Sequence, residues 1–229
     1  MRNPRLVSLL HFADSAFPAG GYAHSLGLES YCAAGLVTDR AGLEAFLRAL
    51  LEGSAGPCDA TAAAGALRAT GRGDIDACAE IDRTLEAMKP VRELREASRQ
   101  MGRQTLRVGA ALTADDRLGG YLADLEGARV PGHHAVAFGL VGGALGWAAE
   151  DAAAALLYST TALLVGAALR LLRMGQLEGQ RALWSLGPLI DRLAAEAARR
   201  DPADLWSFVP GIEIQGIRHA ALPARLFRS

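Results

Sequence analysis

The sequence is poor in the residues that build β-sheets. It has nine valines and six isoleucines, against 46 alanines and 35 leucines in 229 residues. Branched side chains are favoured in strands, whereas alanine and leucine lose little conformational freedom in a helix. The composition therefore disfavours a large sheet and predicts an all-α protein.

The chain also lacks an excess of charge of either sign, since its formal net charge is −1. A chain with this net charge is not attracted as a whole to nucleic acid or to an anionic membrane. We therefore expect neither of them as a partner. Lys89 is the single lysine beside 23 arginines. Arginine suits bidentate contacts to carboxylates and phosphates, but a GC-rich genome produces the same bias.

Cysteine is scarce and shows no metal-binding or disulfide pattern. Cys32, Cys58 and Cys78 form no CxxC pair, and residues 1–4 do not resemble the start of a signal peptide. Among the five histidines only His133 and His134 are close together. They could bind a transition metal weakly, although a capping or surface role is favoured. We predict a cytoplasmic protein without a cofactor or metal site.

Two long uncharged runs, 130–149 and 152–169, reach the length of a membrane-spanning segment. They are rich in alanine and glycine, contain hydroxyl groups, and are separated by Glu150 and Asp151 with almost no loop. We predict two helices buried inside a bundle and packed closely through glycines.

Apolar residues recur every three or four positions and predict a single all-α domain, 1–229, of about ten helices. Residues 206–229 contain two prolines and two glycines and are expected to form an irregular docking tail. The predicted helices are 6–12, 24–34, 39–52, 57–71, 74–88, 90–112, 116–126, the two apolar runs, 176–186 and 188–200.

The segment 14–29 (DSAFPAGGYAHSLGLE) is the most unusual part of the chain. Its glycine pair lacks the lysine and hydroxyl of a phosphate-binding loop, which argues against a nucleotide site. Residues 23–27 resemble a GxSxG nucleophile elbow with its first glycine replaced. A serine hydrolase using Ser25 is a minor alternative that requires a strand before the serine.

The predicted helix that begins at Pro90 carries a stripe of arginines. Positions 92, 95, 99, 103 and 107 fall on one arc of about 120°, and apolar residues occupy the opposite face. Such a stripe is either a solvated surface or a site for an acidic or phosphate-bearing partner.

Five motifs in order resemble the family of urease accessory proteins called UreF. They are residues 14–29, 92–103 (RELREASRQMGR), 135–139 (AVAFG), 168–180, and the last motif formed by 217–219 (IRH) with 225–229 (RLFRS). The resemblance spans nearly the whole chain.

The resemblance implies an all-α adaptor without chemistry of its own. It implies a homodimer that joins UreD (also called UreH) and the GTPase UreG in the complex that delivers nickel to apo-urease. The partner-binding residues carried over from the motifs are Tyr22, His24, Glu29, Arg95, Gln100, Arg103, Arg170, Gln176, Arg218, Arg225 and Phe227.

Two further expectations follow from these residues. The tail should pack near the first motif, with Arg225 reaching Tyr22 or Glu29. As an alternative function, Arg95, Arg103 or Arg170 could be supplied to the phosphates of the partner GTPase, which would make the chain a GTPase-activating protein.

Overall fold

A computed structural model describes residues 4–229, and residues 1–3, which contribute to the signal-peptide prediction, lie outside the described residues. This part of the chain contains helices and no strand, which confirms the all-α prediction. The helices are α1 (Pro4–Ala13), α2 (Leu28–Ala33), α3 (Arg40–Leu50), α4 (Thr61–Gly71), α5 (Ile75–Met88), α6 (Arg92–Thr113), α7 (Asp116–Glu126), α8 (His134–Leu145), α9 (Ala149–Leu171), α10 (Gln176–Ser185), α11 (Gly187–Arg199) and α12 (Pro210–His219).

Two helices begin at aspartates that stand at the predicted helix starts, positions 39 and 74. Asp39 accepts a hydrogen bond from the Gly42 amide at 2.8 Å, and Asp74 accepts one from the Ala77 amide at 3.1 Å. Each carboxylate satisfies a backbone donor that has no partner within its own helix. Their positions explain why the predicted starts of α3 and α5 agree with the structure.

The predicted break at Pro57 is absent. The chain continues from α3 through a π-helical segment, Leu51–Ala60, and directly into α4. A π-helix has wider turns with i→i+5 hydrogen bonds, so a proline can lie inside the segment without the clash that it causes in an α-helix. Pro57 therefore lies within a continuous helical path.

The tail is more regular than predicted because it contains α12. Pro210 occupies the first turn, where a missing amide hydrogen costs nothing. Gly216 lies where a Cβ would come within 3.1 Å of Val91, so the glycine permits close packing on the start of α6. The irregular parts are the residues on either side of this helix.

The core consists of two hydrophobic clusters, one around α8 and one around α9. The first includes Leu85, Leu106, Leu118, Phe138 and Leu140. The second includes Leu43, Leu47, Leu157, Leu164, Leu183 and Leu193.

The two apolar runs form α8 and α9, as the sequence predicts, but their burial differs. Residues 135–142 of α8 are all buried. Helix α9 has the length and apolar composition of a membrane-crossing helix, and half of its most apolar window is buried in the fold. One face of α9 therefore remains uncovered in this chain.

Helix α8 packs against α4 at a distance that only glycine permits. A Cβ at Gly143 would lie 2.7 Å from the Leu67 carbonyl oxygen, and one at Gly139 would collide with the Ala63 carbonyl. Both obstacles are backbone atoms that cannot move aside without shifting the helix. The small residues of this region thus set the spacing of the helices.

We predict that Gly139→Ala destabilises the fold by about 1–3 kcal/mol, the usual cost of overpacking a core. Gly120→Ala is the matched control because Gly120 is helical and has open space around it. That change should stabilise the protein by roughly 0.5–1 kcal/mol, since alanine favours a helix more than glycine does. Urea unfolding of both variants measures the difference, and equal midpoints would contradict the prediction.

Candidate partner-binding site

The first motif forms a compact loop, and the helix predicted over 24–34 begins only at Leu28, so its predicted start at His24 is wrong. Gly21–Ala23 make one 3₁₀ turn, and His24 is extended with φ −121° and ψ 135°. Leu26 and Gly27 then take left-handed conformations, with φ 49° and 91°, which reverse the chain before α2. The loop leaves backbone amides at Ser25 and Leu26 free to bind another segment.

The end of the tail occupies those amides. The Ser229 carbonyl oxygen accepts hydrogen bonds from the Ser25 amide at 2.6 Å and the Leu26 amide at 3.1 Å. The Arg228 amide donates to the Ala23 carbonyl at 2.8 Å. The tail therefore packs on the first motif, as expected. The contacts are made by backbone groups, which every residue has, so the sequence does not indicate them.

Glu29 is the centre of this contact, and its side chain is buried. Its carboxylate accepts hydrogen bonds from the Leu226 amide at 2.6 Å and the Phe227 amide at 3.1 Å, and it lies 2.9 Å from Nε2 of His219. Burial alone would raise the pKa of Glu29, but these three hydrogen bonds and the His219 charge outweigh it and lower the pKa. The carboxylate stays ionised and holds the tail.

His219 links Glu29 to the arginine helix. Its Nδ1 lies 2.7 Å from Glu93 of α6, so each ring nitrogen faces a carboxylate. This geometry fits an imidazolium, in which both nitrogens are donors. The three residues connect α2, α6 and α12 inside the protein.

The predicted contact of Arg225 with Tyr22 or Glu29 is wrong. Arg225 donates to Glu93 at 3.0 Å instead, because the Leu226 and Phe227 amides already bind Glu29. We call Glu29, Glu93, His219 and Arg225 the tail junction.

Arg170 makes the contact with Tyr22 that was expected of Arg225. Its guanidinium donates to the Tyr22 carbonyl at 2.8 Å and lies 4.0 Å from the centre of the Phe227 ring. The ring is buried, whereas the Tyr22 side chain is 75% exposed. One arginine at the end of α9 thus joins the loop, the tail and an exposed aromatic side chain.

The structure argues against the hydrolase alternative. A helix, α1, precedes the segment where a nucleophile elbow needs a strand. Ser25 is fully buried, and its hydroxyl donates to the Ser229 carbonyl at 2.8 Å. His24 is directed to the Ser229 hydroxyl rather than to Ser25. Ser25 therefore holds the tail and is not available to attack a substrate.

The arginine helix forms as predicted, and most of its arginines have partners. Arg95 donates to the Lys89 carbonyl at 2.7 Å and lies 3.3 Å from Glu86. Arg92 and Arg107 pair with exposed glutamates. Within residues 4–229 the half-buried Arg103 has no carboxylate partner, which leaves its guanidinium available for binding.

His133 packs beneath this helix and is fully buried, so the surface role that was one of two expectations is wrong. The capping role is met in position only, because His133 is the N-cap residue of α8 but its side chain makes no capping hydrogen bond. The ring lies 2.9 Å from Glu86 and 3.0 Å from Ser98, and burial lowers its pKa to about 3. The neutral ring can donate to Glu86 and accept from Ser98. The Asp82 carboxylate accepts hydrogen bonds from the backbone amides of Gly132 and His133. These bonds fix the loop before α8.

A cavity of about 130 Å³ lies between α6, α9, α12 and the π-helical segment. Its walls are largely apolar, and Lys89 forms an ion pair with Asp59 at 2.8 Å on its lining. His134 lines it too, and burial lowers the pKa of this imidazole to about 4. The described part of the chain has no cluster of three or more histidine, cysteine or acidic residues suited to a metal.

The tail junction and its surroundings bring together six of the eleven predicted residues: Tyr22, His24, Glu29, Arg170, Arg225 and Phe227. Arg95, Gln100 and Arg103 lie on α6, Gln176 begins α10, and Arg218 is exposed on α12. The site prediction omitted Glu93 and His219. A charge-balance argument could have found Glu93, because two acidic residues interrupt the arginine stripe.

We predict that Glu29→Gln frees the tail, because an amide replaces an ionised acceptor of two backbone hydrogen bonds. Hydrogen bonds to a charged group contribute about 1.5–3 kcal/mol, so amide exchange at Leu226 and Phe227 should rise at least about tenfold. Glu150→Gln, at an exposed position on α9, is the control. Hydrogen–deuterium exchange measures both, and unchanged exchange at the two amides would contradict this role of Glu29.

Comparison with known proteins agrees with the motifs. The family model described as UreF matches residues 37–187. The chain is 34% identical over 223 residues to "Urease accessory protein UreF" of Arthrobacter sp. (strain FB24), covering 97% of this chain and 96% of the relative. It is 31% identical over 221 residues to the protein of the same name from Trichodesmium erythraeum (strain IMS101), covering 96% and 95%. It is 33% identical over 225 residues to "Urease accessory protein UreF 2" of Brucella canis (strain ATCC 23365 / NCTC 10854 / RM-666), covering 98% and 92%. The chain belongs to the UreF family of urease accessory proteins.

Proposed function

We propose that the protein is a cytoplasmic adaptor that bridges UreD/UreH and the GTPase UreG in the complex that inserts nickel into apo-urease. The observation that carries this proposal is the tail junction, where the buried Glu29 and His219 side chains help to hold a segment whose outer face is apolar and exposed. Such an arrangement organises a surface for proteins rather than a pocket for a substrate. Family membership supports the proposal.

The outer face of the tail is the surface that we assign to UreD/UreH. Five large apolar side chains between positions 206 and 226 are 42–73% exposed: Trp206, Phe208, Ile214, Ile217 and Leu226. A concentration of this kind is typical of a protein interface. Their backbone is held by α12 and the tail junction, so little ordering is needed when a partner binds.

We assign the α6 surface around Gln100 and Arg103 to an acidic region of UreG. Gln100 is exposed, and Arg103 has no acidic partner in residues 4–229. The same observation makes Arg103 the best candidate for the alternative function, in which an arginine is supplied to the GTPase in trans. Arg95 and Arg170 already have intramolecular partners.

The uncovered face of α9 is the surface that we assign to a second copy of the chain. The residues Asp151, Ala155, Tyr158, Ala162, Gly166 and Arg170 follow one another at helical spacing and are exposed or partly exposed. Two copies of α9 packed antiparallel would bring Asp151 of one close to Arg170 of the other. The stretch between these charges is uncharged, so a twofold contact creates no like-charge repulsion.

For the homodimer we predict that Gly166→Arg yields a monomer. A side chain at Gly166 meets nothing within 4 Å in the chain, so the protomer should fold while close approach of a second α9 is blocked. Gly119→Arg on α7, where space is also open, is the control and should remain dimeric. Light scattering after size-exclusion chromatography gives the masses. A monomeric parent protein or a dimeric Gly166→Arg variant would refute the assignment.

For the adaptor we predict that Ile217→Arg weakens binding to UreD/UreH at least about tenfold, because a charge replaces an apolar anchor. Leu112→Arg, at an exposed apolar position on α6, is the control. Arg103→Ala should weaken binding to UreG instead. Calorimetry with each purified partner measures the affinities. If neither variant lost affinity for its partner, the adaptor proposal would be contradicted.

The rate of GTP turnover by UreG separates the adaptor from the GTPase-activating protein. Turnover should depend on Arg103 only if this arginine is supplied to the phosphates of the GTP.

A further inference from the structure

The cavity of about 130 Å³ between α6, α9, α12 and the π-helical segment is lined by none of the tail junction residues. Its walls also include the start of α8 and the connection from α5 to α6. A cavity of about 150 Å³ with apolar walls is large enough to hold a benzene molecule. This cavity therefore has room for a single six-membered ring with a small substituent.

Most of the cavity wall is apolar, and the chain itself does not cover it completely. Six large apolar side chains on the wall are only partly buried: Leu26, Met88, Leu94, Met101, Leu163 and Val209. A ring placed among these side chains would remove apolar surface from water, both its own and that of the wall. The wall therefore favours a ligand with an apolar body.

Two polar side chains on the wall, His134 of α8 and Ser159 of α9, have unused hydrogen-bonding groups. Within residues 4–229, neither the His134 ring nor the Ser159 hydroxyl has a hydrogen-bond partner. Neither side chain contributes to the polar atoms that are sealed inside this part of the protein without a partner. The His134 ring is deep in the fold and lines the cavity, so the open space that its nitrogens border is the cavity.

The charges around the cavity disfavour an ionic ligand. Lys89 and Asp59 form an ion pair at 2.8 Å, and Glu213 adds a second carboxylate to the wall. An anion would lie close to two carboxylates, and a cation would lose its hydration beside the Lys89 ammonium. The His134 ring is neutral at pH 7, because burial lowers its pKa to about 4. A neutral imidazole has one donor and one acceptor, so it can bind a hydroxyl group in either direction.

We propose that this cavity binds a small neutral molecule with one apolar ring and one hydroxyl group, of which phenol is the simplest example. The ring would contact the apolar wall, and the hydroxyl would form a hydrogen bond with His134 and a second one with Ser159. Val209 and Ile212 of the tail belong to the wall, so a bound molecule would also stabilise the tail against the rest of the protein. Binding of this kind requires no partner protein and is independent of the proposed adaptor function.

A hydroxylated ring could come from a free molecule or from a tyrosine of a bound protein. We commit to the free molecule, because segments along most of the chain, from Leu26 to Glu213, surround the cavity. Binding of phenol to the protein alone tests this source. If phenol does not bind but Ser159→Leu weakens binding of UreD/UreH or UreG, the cavity accepts a side chain of the partner, and the proposal of a free ligand is wrong.

The test is calorimetric titration of the full chain with phenol, toluene and benzoate, which share one ring and differ in its substituent. We expect saturable binding of phenol at one site per chain and no binding of benzoate. His134→Phe keeps a ring of similar size and removes both nitrogens. Phenol should then bind about tenfold more weakly, because its hydroxyl loses a hydrogen-bond partner, whereas the affinity for toluene should not change.

Two further variants serve as controls. Ser159→Leu fills the cavity and should abolish binding of both phenol and toluene. His11→Phe replaces an exposed histidine of α1, away from the cavity, and should leave both affinities unchanged. Thermal unfolding of each variant shows whether it is folded. The proposal would be overturned by an unchanged phenol affinity in His134→Phe, by phenol binding in Ser159→Leu, or by benzoate binding as tightly as phenol.

Discussion

The contact on which the arrangement of the tail and the first motif depends is the buried carboxylate of Glu29. A buried charge is tolerated only when hydrogen bonds and an opposite charge replace the water that it has lost. Here two amides of the tail and the His219 ring supply that replacement. If the tail dissociated, the carboxylates of Glu29 and Glu93 would lose the His219 side chain that lies between them. The charge therefore makes one position of the tail much more favourable than the alternatives.

The rest of the fold follows a different constraint, which is the small size of its commonest residue. Alanine contributes little apolar area, so helices must approach closely to exclude water. Glycines at Gly139 and Gly143 bring α8 against the backbone of α4. The core therefore depends on close helix spacing as well as on its buried leucine and phenylalanine side chains.

Much of the fold could be predicted from the sequence, because helical periodicity and aspartate caps are local signals. The long helices α6 and α9 begin and end within three residues of their predicted bounds, and α7 matches its prediction at both ends. The helix predictions were wrong where tertiary packing overrides the local preference of a proline or a glycine. Pro57 was expected to begin a helix but lies in a π-helical segment, and the glycines of α12 permit close packing instead of breaking the helix.

The site was predictable in its residues but not in its pairings. The motifs single out Glu29, Arg170 and Arg225 as site residues. Their hydrogen-bond partners, however, depend on the path of the chain in three dimensions. Glu29 binds backbone amides, and a backbone donor has no signature in the sequence. Once those amides occupy Glu29, Arg225 pairs with the nearest remaining carboxylate, Glu93. Competition for acceptors therefore decides the pairings, and it is visible only in three dimensions.

This arrangement also provides a physical route by which two surfaces of the proposed adaptor can influence each other. Arg170 contacts the Tyr22 carbonyl and the Phe227 ring at once, so the exposed loop and the tail share one guanidinium. A protein that binds only when the tail is docked favours the conformation in which Arg170 holds Tyr22. By thermodynamic reciprocity, a partner that binds the held loop must favour the docked tail to the same extent. An adaptor built in this way needs no catalytic group to make the binding of one partner depend on the other.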